Sequence, residues 1–128
     1  MYASRMHDTP PADDAPKHAL AHRLRLDFEA ALGAGTLENP EGWRVLDTRV
    51  FQRWVPVVEL RLHTDDRTLC FILAPSDPER PAFKRGPQHD IVYYSDDLAV
   101  AEHSGLYARD KPSIERFARW LVAWDAAP

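Results

Sequence analysis

Residues 57–74 read VVELRLHTDDRTLCFILA, and this stretch predicts a β-hairpin. Its first half alternates apolar and polar residues, the pattern of a strand with one buried face: Val58, Leu60 and Leu62 against Glu59, Arg61 and His63. If Asp65 and Asp66 form the turn, the apolar residues of the two strands face each other in pairs, as cross-strand packing requires: Leu62 with Leu69, Leu60 with Phe71, and Val58 with Leu73. A shift by one residue would turn the apolar set to the wrong face.

The segments on either side of the hairpin predict an α+β fold. Apolar residues at helical spacing indicate a helix over residues 17–32, ended by Gly33 and Gly35, and a second helix that Asp110 caps and that runs to Trp124. Strands are predicted over residues 44–54, over 91–95 and, turned by two aspartates, over 98–102. We therefore expect an antiparallel sheet of four to five strands with both helices on one face, in the order α-β-β-β-β(-β)-α.

Length and composition predict a single domain without covalent crosslinks. Residues 1–16 lack apolar periodicity and are expected to form a disordered tail, which leaves 17–128 as one α+β domain. Cys70 is the one cysteine, so no intrachain disulfide is possible. No segment has the apolar length of a signal peptide or a membrane span, so a cytoplasmic protein is expected. The net charge of −4 argues against a broad nucleic-acid-binding surface.

The segment 75–90, PSDPERPAFKRGPQHD, contains four prolines and a basic cluster. Long connections of this kind often carry function. The hairpin face opposite the helices should be half apolar, which is typical of interaction surfaces. These features favour a protein-binding module (adaptor, chaperone-like or immunity-type), a homodimer and a non-enzymatic role, with contacts through the sheet face and this loop. The predicted binding residues are Glu59, Arg61, His63, Arg80, Lys84 and Arg85.

Histidines supply an enzymatic alternative. His63, His89 and His103 lie at strand ends or in loops, and imidazoles together with an arginine can perform acid-base hydrolysis of a phosphodiester. That pattern describes a small hydrolase or nuclease. His18 and His22 have the spacing of two metal ligands on a helix but lack a third, so neither a metal nor a cofactor is predicted.

A third alternative is a small-molecule-binding domain. Its pocket would lie between the sheet and the C-terminal helix and would be lined by Tyr93, Tyr94 and Trp120. Trp120 lies off the inner stripe of its helix, where an aromatic ring could contact a ligand or a partner.

Two families share parts of this pattern. The order of helix, three strands and helix is similar to double-stranded-RNA-binding domains, but the second helix opens DKPSIERF without their basic run. The hairpin VVELRLHTDDRTLCFILAP and the helix ERFARWLVAW are similar to small acidic chaperones of bacterial type III secretion. That resemblance implies a dimer that binds an extended stretch of an effector. The dimerisation helix of those chaperones would fall at the Pro-rich segment, so no family is assigned.

Overall fold

The computed structural model describes residues 15–95 and 106–127, which form two helices and one five-stranded sheet. In chain order the elements are α1 (Ala15–Ala34), β1 (Arg44–Gln52), β2 (Pro56–His63), β3 (Thr68–Pro75), β4 (Lys84–Arg85), β5 (His89–Tyr94) and α2 (Leu106–Ala126). The strands lie in the order β1-β2-β3-β5-β4, and each neighbouring pair is antiparallel. The predicted α+β class, with an N-terminal and a C-terminal helix, is confirmed.

The hairpin β2–β3 has the predicted register. Its three apolar pairs are Leu62 with Leu69, Leu60 with Phe71, and Val58 with Leu73, and every one of these side chains is buried. The Thr64 amide donates to the Arg67 carbonyl oxygen at 2.9 Å, which places Asp65 and Asp66 at the tip of the turn. β3 lies between β2 and β5, at the centre of the sheet.

Both helices pack on the face of the sheet that carries these pairs. The Phe117 ring of α2 lies edge-on to Phe28 of α1 at 5.4 Å and to Phe71 of β3 at 6.4 Å, measured between centroids. Near the other end of the core, the buried Trp43 indole donates to the Ser113 hydroxyl at 3.1 Å. The opposite side of the sheet, which we call the outer face, is therefore the side on which neither helix packs.

Helix boundaries differ from the sequence prediction by up to one turn. α1 begins at Ala15 and continues through Gly33; Gly35, at a φ of 79°, follows its end. α2 begins at Leu106, so Asp110 lies inside the helix instead of capping it. The Asp110 carboxylate instead receives Arg67 Nε at 2.9 Å, a contact with the hairpin that the local sequence could not reveal.

Two strand predictions also change. β1 ends at Gln52, and residues 53–55 form a tight connection to β2 instead of continuing the strand to Trp54. The Pro-rich segment 75–90 is not one structureless connection, because it contains β4, which pairs with the start of β5. The predicted tail and the predicted strand over 98–102 lie mainly or wholly outside the described residues. Neither described helix is both long enough and apolar enough to cross a membrane.

Candidate functional site

The outer face carries five of the six predicted binding residues. Strand alternation puts Glu59, Arg61 and His63 of β2 on this face, because Leu60 and Leu62 between them point into the core. On the same side lie Arg85, beside Asp90, and Arg80 of the preceding loop. The sixth residue, Lys84, is separate: its Nζ lies 3.3 Å from the Glu115 carboxylate of α2, on the helix side.

Much of the predicted charge on this face is already paired. Arg61 makes a two-pronged contact with Asp47 at 2.8 and 2.7 Å, and this hydrogen bonding lowers the pKa of Asp47. Glu59 is fully buried; its carboxylate receives Arg49 Nε at 2.5 Å and the Tyr94 hydroxyl. These residues consolidate the sheet and leave little charge open to a partner.

The most exposed tryptophan of the described residues stands at the end of this face. Trp54 occupies the connection between β1 and β2, with 49% of its surface exposed. The connection is closed by a hydrogen bond of 3.0 Å from the Arg53 amide to the Val55 carbonyl. The guanidinium carbons of Arg53 and Arg80 lie 4.7 and 4.1 Å from the centroid of an indole ring of Trp54. Cation–π contacts of this length hold the indole in place at the surface.

Trp54 forms one wall of a groove of about 380 Å³, here named the Trp54 groove. Its lining consists of Arg53, Trp54, Ala74, Arg80, Pro81, Asp90 and Val92. A second groove, of about 420 Å³, adjoins it along the outer face and is named the Tyr94 groove. Its lining consists of Arg49, Phe51, Arg53, Ile72, Val92, Tyr93 and Tyr94. Arg53 and Val92 line both grooves, so the two form a continuous surface with an apolar floor and an arginine-rich rim.

Asp90 fixes the loop that carries Arg80. Its nearly buried carboxylate accepts hydrogen bonds from Arg85 Nε at 2.7 Å, the Ser76 hydroxyl at 3.2 Å and the Asp77 amide at 3.0 Å. Burial opposes ionisation, but these donors outweigh it, and the pKa of Asp90 lies below its usual value. Arg85 Nη2 also donates to the Arg80 carbonyl oxygen at 2.5 Å. The Pro-rich loop is therefore held against the groove by its own polar contacts.

The histidine alternative is not supported by the geometry. His63 pairs with Thr68 at one end of β3, and His89 pairs with Pro75 at the other end. Seven residues of extended chain separate those partners, which corresponds to roughly 23 Å. His103 lies outside the described residues. Two imidazoles at opposite ends of a sheet cannot act on one bond.

His89 has a structural partner instead. Its Nδ1 lies 2.7 Å from the Asp125 carboxylate of α2, and the His89 amide donates to the same carboxylate at 2.8 Å. Lys17 Nζ lies 3.5 Å from the other ring nitrogen. The histidine is buried, and these contacts join the start of β5 to both helices.

The three aromatic residues do not form the predicted pocket between the sheet and α2: Tyr93 and Tyr94 both line the Tyr94 groove on the outer face, and Trp120 lies elsewhere. Tyr94 bonds to Glu59 on the outer face, whereas Tyr93, its neighbour on the strand, contacts the ring of Phe83. The Trp120 ring lies edge-on to Phe28 at 5.2 Å, so it packs between the helices.

The described residues contain no group of three or more histidine, cysteine or acidic side chains close enough to hold a metal ion.

Sequence reasoning missed the residues that shape the grooves, above all Arg49, Arg53 and Trp54. The signal was Pro56, which cannot donate to a strand ladder and marks the chain bend next to Trp54. With the bend placed there, Trp54 is a turn residue and is expected at the surface.

No protein-family model, no curated protein and no solved structure matches this chain.

Proposed function

We propose that this chain is a protein-binding module that contacts its partner through the outer face, with the Trp54 groove at the centre of the contact. The observation that supports this most is Trp54 itself, a half-exposed indole held by two guanidinium groups beside an apolar groove. Tryptophan and arginine dominate the binding energy of many protein interfaces, particularly where they border a pocket.

The proposal modifies the binding set predicted from the sequence. Arg80 and Arg85 keep a place in it, since one lines the groove and the other holds its loop. Glu59 and Arg61 act as supports, because their charges are paired within the sheet. Arg53 and Trp54 join the set because both are exposed and both line the groove.

The partner is a different protein in this proposal. A symmetric dimer through the outer face would place the same patch of both copies together, and with it the two Arg53 side chains, which have no carboxylate partner among the described residues. Such like-charge contacts oppose association. The homodimer and the cytoplasmic location expected from the sequence stay predictions. Light scattering at micromolar concentration tests the homodimer. Such a dimer would have to form through contacts elsewhere on the molecule.

A photo-crosslinking residue at position 51, in the Tyr94 groove, tests the proposal. The matched control is position 26 on α1, where Leu26 is 52% exposed and faces away from the sheet. We expect a partner to crosslink at position 51 and not at position 26. The purified partner should then bind at least about tenfold more weakly to Trp54→Ala, as for a hot-spot residue.

Two outcomes would contradict the proposal. Crosslinking at both positions to the same extent, or crosslinking at position 51 that is unchanged by Trp54→Ala, would remove the groove from the interface. A product of twice the chain mass would identify the occupant as a second copy and would contradict a different partner.

A further inference from the structure

We propose that the Trp54 groove binds a short segment of the partner in which an aspartate or glutamate stands next to an aromatic or aliphatic residue. The carboxylate binds Arg53, and the apolar side chain packs against Trp54 and the groove floor. This inference rests on the proposed function and specifies the chemistry that the groove recognises.

Among the residues that the structure describes, Arg53 is the arginine of the grooves that has no carboxylate partner. The other guanidinium groups at or behind the rim contact carboxylates within the described residues: Arg49 with Glu59 at 2.5 Å, Arg80 with Asp77 at 3.0 Å, and Arg85 with Asp90 at 2.7 Å. Arg53 is exposed, and among residues 15–95 and 106–127 no carboxylate lies within ion-pair distance of it. A guanidinium without a carboxylate partner matches a carboxylate of the ligand.

The contact with Trp54 prepares Arg53 for this role. Its guanidinium carbon lies 4.7 Å from the centroid of an indole ring, so the ring occupies one side of the charged group. The donor N–H groups point outwards in the plane of a guanidinium and stay available for a two-pronged carboxylate contact. Because the indole partly immobilises the arginine, less side-chain entropy is lost when the ligand binds.

The same distance fixes the spacing within the ligand. A carboxylate on Arg53 and an apolar group against Trp54 lie within a few ångströms of each other, since their two receptors are in contact. Adjacent residues satisfy this requirement where the bound backbone bends, because in a fully extended chain successive side chains point to opposite sides. The apolar side chain of the ligand packs against the floor of the groove, which is formed by Ala74, Pro81 and Val92.

The carboxylate is a side chain and not the end of a chain. The Trp54 groove continues into the Tyr94 groove through Arg53 and Val92, so a bound segment can extend beyond Arg53. A site that captures a chain end would be closed at that point. The combined volume of the two grooves falls within the range of roughly 300–1,000 Å³ that is typical of ligand sites.

The charge balance favours an acidic peptide over a nucleic acid. A nucleic acid requires several uncompensated cations along its phosphates. Here Asp90 lies in the groove wall, and the arginines other than Arg53 are paired. One available guanidinium suits one carboxylate.

The test uses capped synthetic hexapeptides and amide NMR spectra of the full chain. One peptide has phenylalanine followed by glutamate between glycines, and the matched peptide has glutamine in place of glutamate. We expect the first to shift the Trp54 indole N–H and the Arg53 Nε–H signals, with a Kd at least about fivefold lower than the second. Arg53→Gln should abolish that difference. Arg23→Gln should preserve it, since Arg23 makes a similar contact of 5.5 Å with Trp124 on the helix side.

Equal affinity for the two peptides, or a difference that survives Arg53→Gln, would overturn the inference. So would shifts of the same signals by an octamer of thymidine at lower concentration than by the glutamate peptide, which would indicate a nucleic-acid surface. A failure of this inference can be distinguished from a failure of the proposed function. If crosslinking at position 51 depends on Trp54 while peptide charge has no effect, the interface on the outer face is supported and only its preference for an acidic segment is contradicted.

Discussion

Glu59 is an acidic residue whose side chain is buried within the sheet. The side chain has no exposed surface, so its carboxylate depends on the donors that surround it. Arg49 supplies one of them, and the Tyr94 hydroxyl supplies another. Burial, and then the hydrogen bond to Glu59, raise the pKa of Tyr94 above its usual value near 10. The phenol therefore keeps its proton in the folded state at pH values where the unfolded chain releases it.

Tyr94→Phe tests this network. At neutral pH the variant should be less stable by about 1–2 kcal/mol, because Glu59 loses a donor in a buried position. The stability linked to the Tyr94 proton is fully present below about pH 10 and decreases as the pH rises above that value. We therefore expect the gap in unfolding free energy between the two proteins to narrow from pH 7 to pH 10.5 in urea titrations. Curves that stay parallel would contradict the assigned role of the hydroxyl.

The junction between the β4–β5 turn and α2 shows how a short element is held by a distant one. Asp125 Oδ2 accepts the amides of Gln88 and His89, each at 2.8 Å, and the Gln88 side chain returns a bond of 3.0 Å to the Asp125 carbonyl oxygen. Gly86 permits this approach because a Cβ there would lie 2.5 Å from Asp125 Oδ2. The two-residue strand β4 would be weak alone, and the end of the helix secures the turn that follows it.

Gly86→Ala should therefore destabilise the protein by about 1–3 kcal/mol, the usual cost of overpacking. Gly33→Ala is the matched control: it lies within α1, and no atom comes within 4 Å of its added Cβ. That change should be neutral or stabilising by up to about 1 kcal/mol, since alanine is the better helix former. Chemical denaturation of both variants measures the difference. Equal effects of the two substitutions would show that the close approach at Gly86 is unimportant.

Across the whole molecule, three aromatic rings connect the two helices and the sheet. Phe28, Phe71 and Phe117 come from α1, β3 and α2, and all three are fully buried. Since the helices meet each other and the sheet through Phe117, unfolding should be cooperative, with no helix lost separately.

Phe117→Ala should lower the free energy of unfolding by about 3–5 kcal/mol through lost burial and a cavity. Urea unfolding followed by circular dichroism and by tryptophan fluorescence should give coincident transitions for the wild type and for the variant.

Trp54→Ala should change the free energy of unfolding by no more than about 0.5 kcal/mol, since half of that residue is already in water. A large loss of stability in Trp54→Ala would mean that the indole supports the fold instead of serving a partner.

The hairpin and the helices could be predicted because their signals are local. Alternation along 57–74, the turn at Asp65 and Asp66, and apolar spacing at Leu24 and Phe28 each lie within one or two elements. From these the α+β class and the hairpin register followed. The candidate site was harder to predict, because charged residues on a strand look alike whether they face water or a counter-charge.

The chain's local pattern was sufficient for the α+β class and the hairpin register, whereas the binding surface depended on contacts between distant segments. Glu59 is buried because Arg49, ten residues earlier, and Tyr94, 35 residues later, meet its carboxylate. Trp54 is exposed because the β1–β2 connection places it at the edge of the sheet. Alternation specifies which side of a strand a residue faces, but the neighbours across the sheet determine which charges on that side are neutralised.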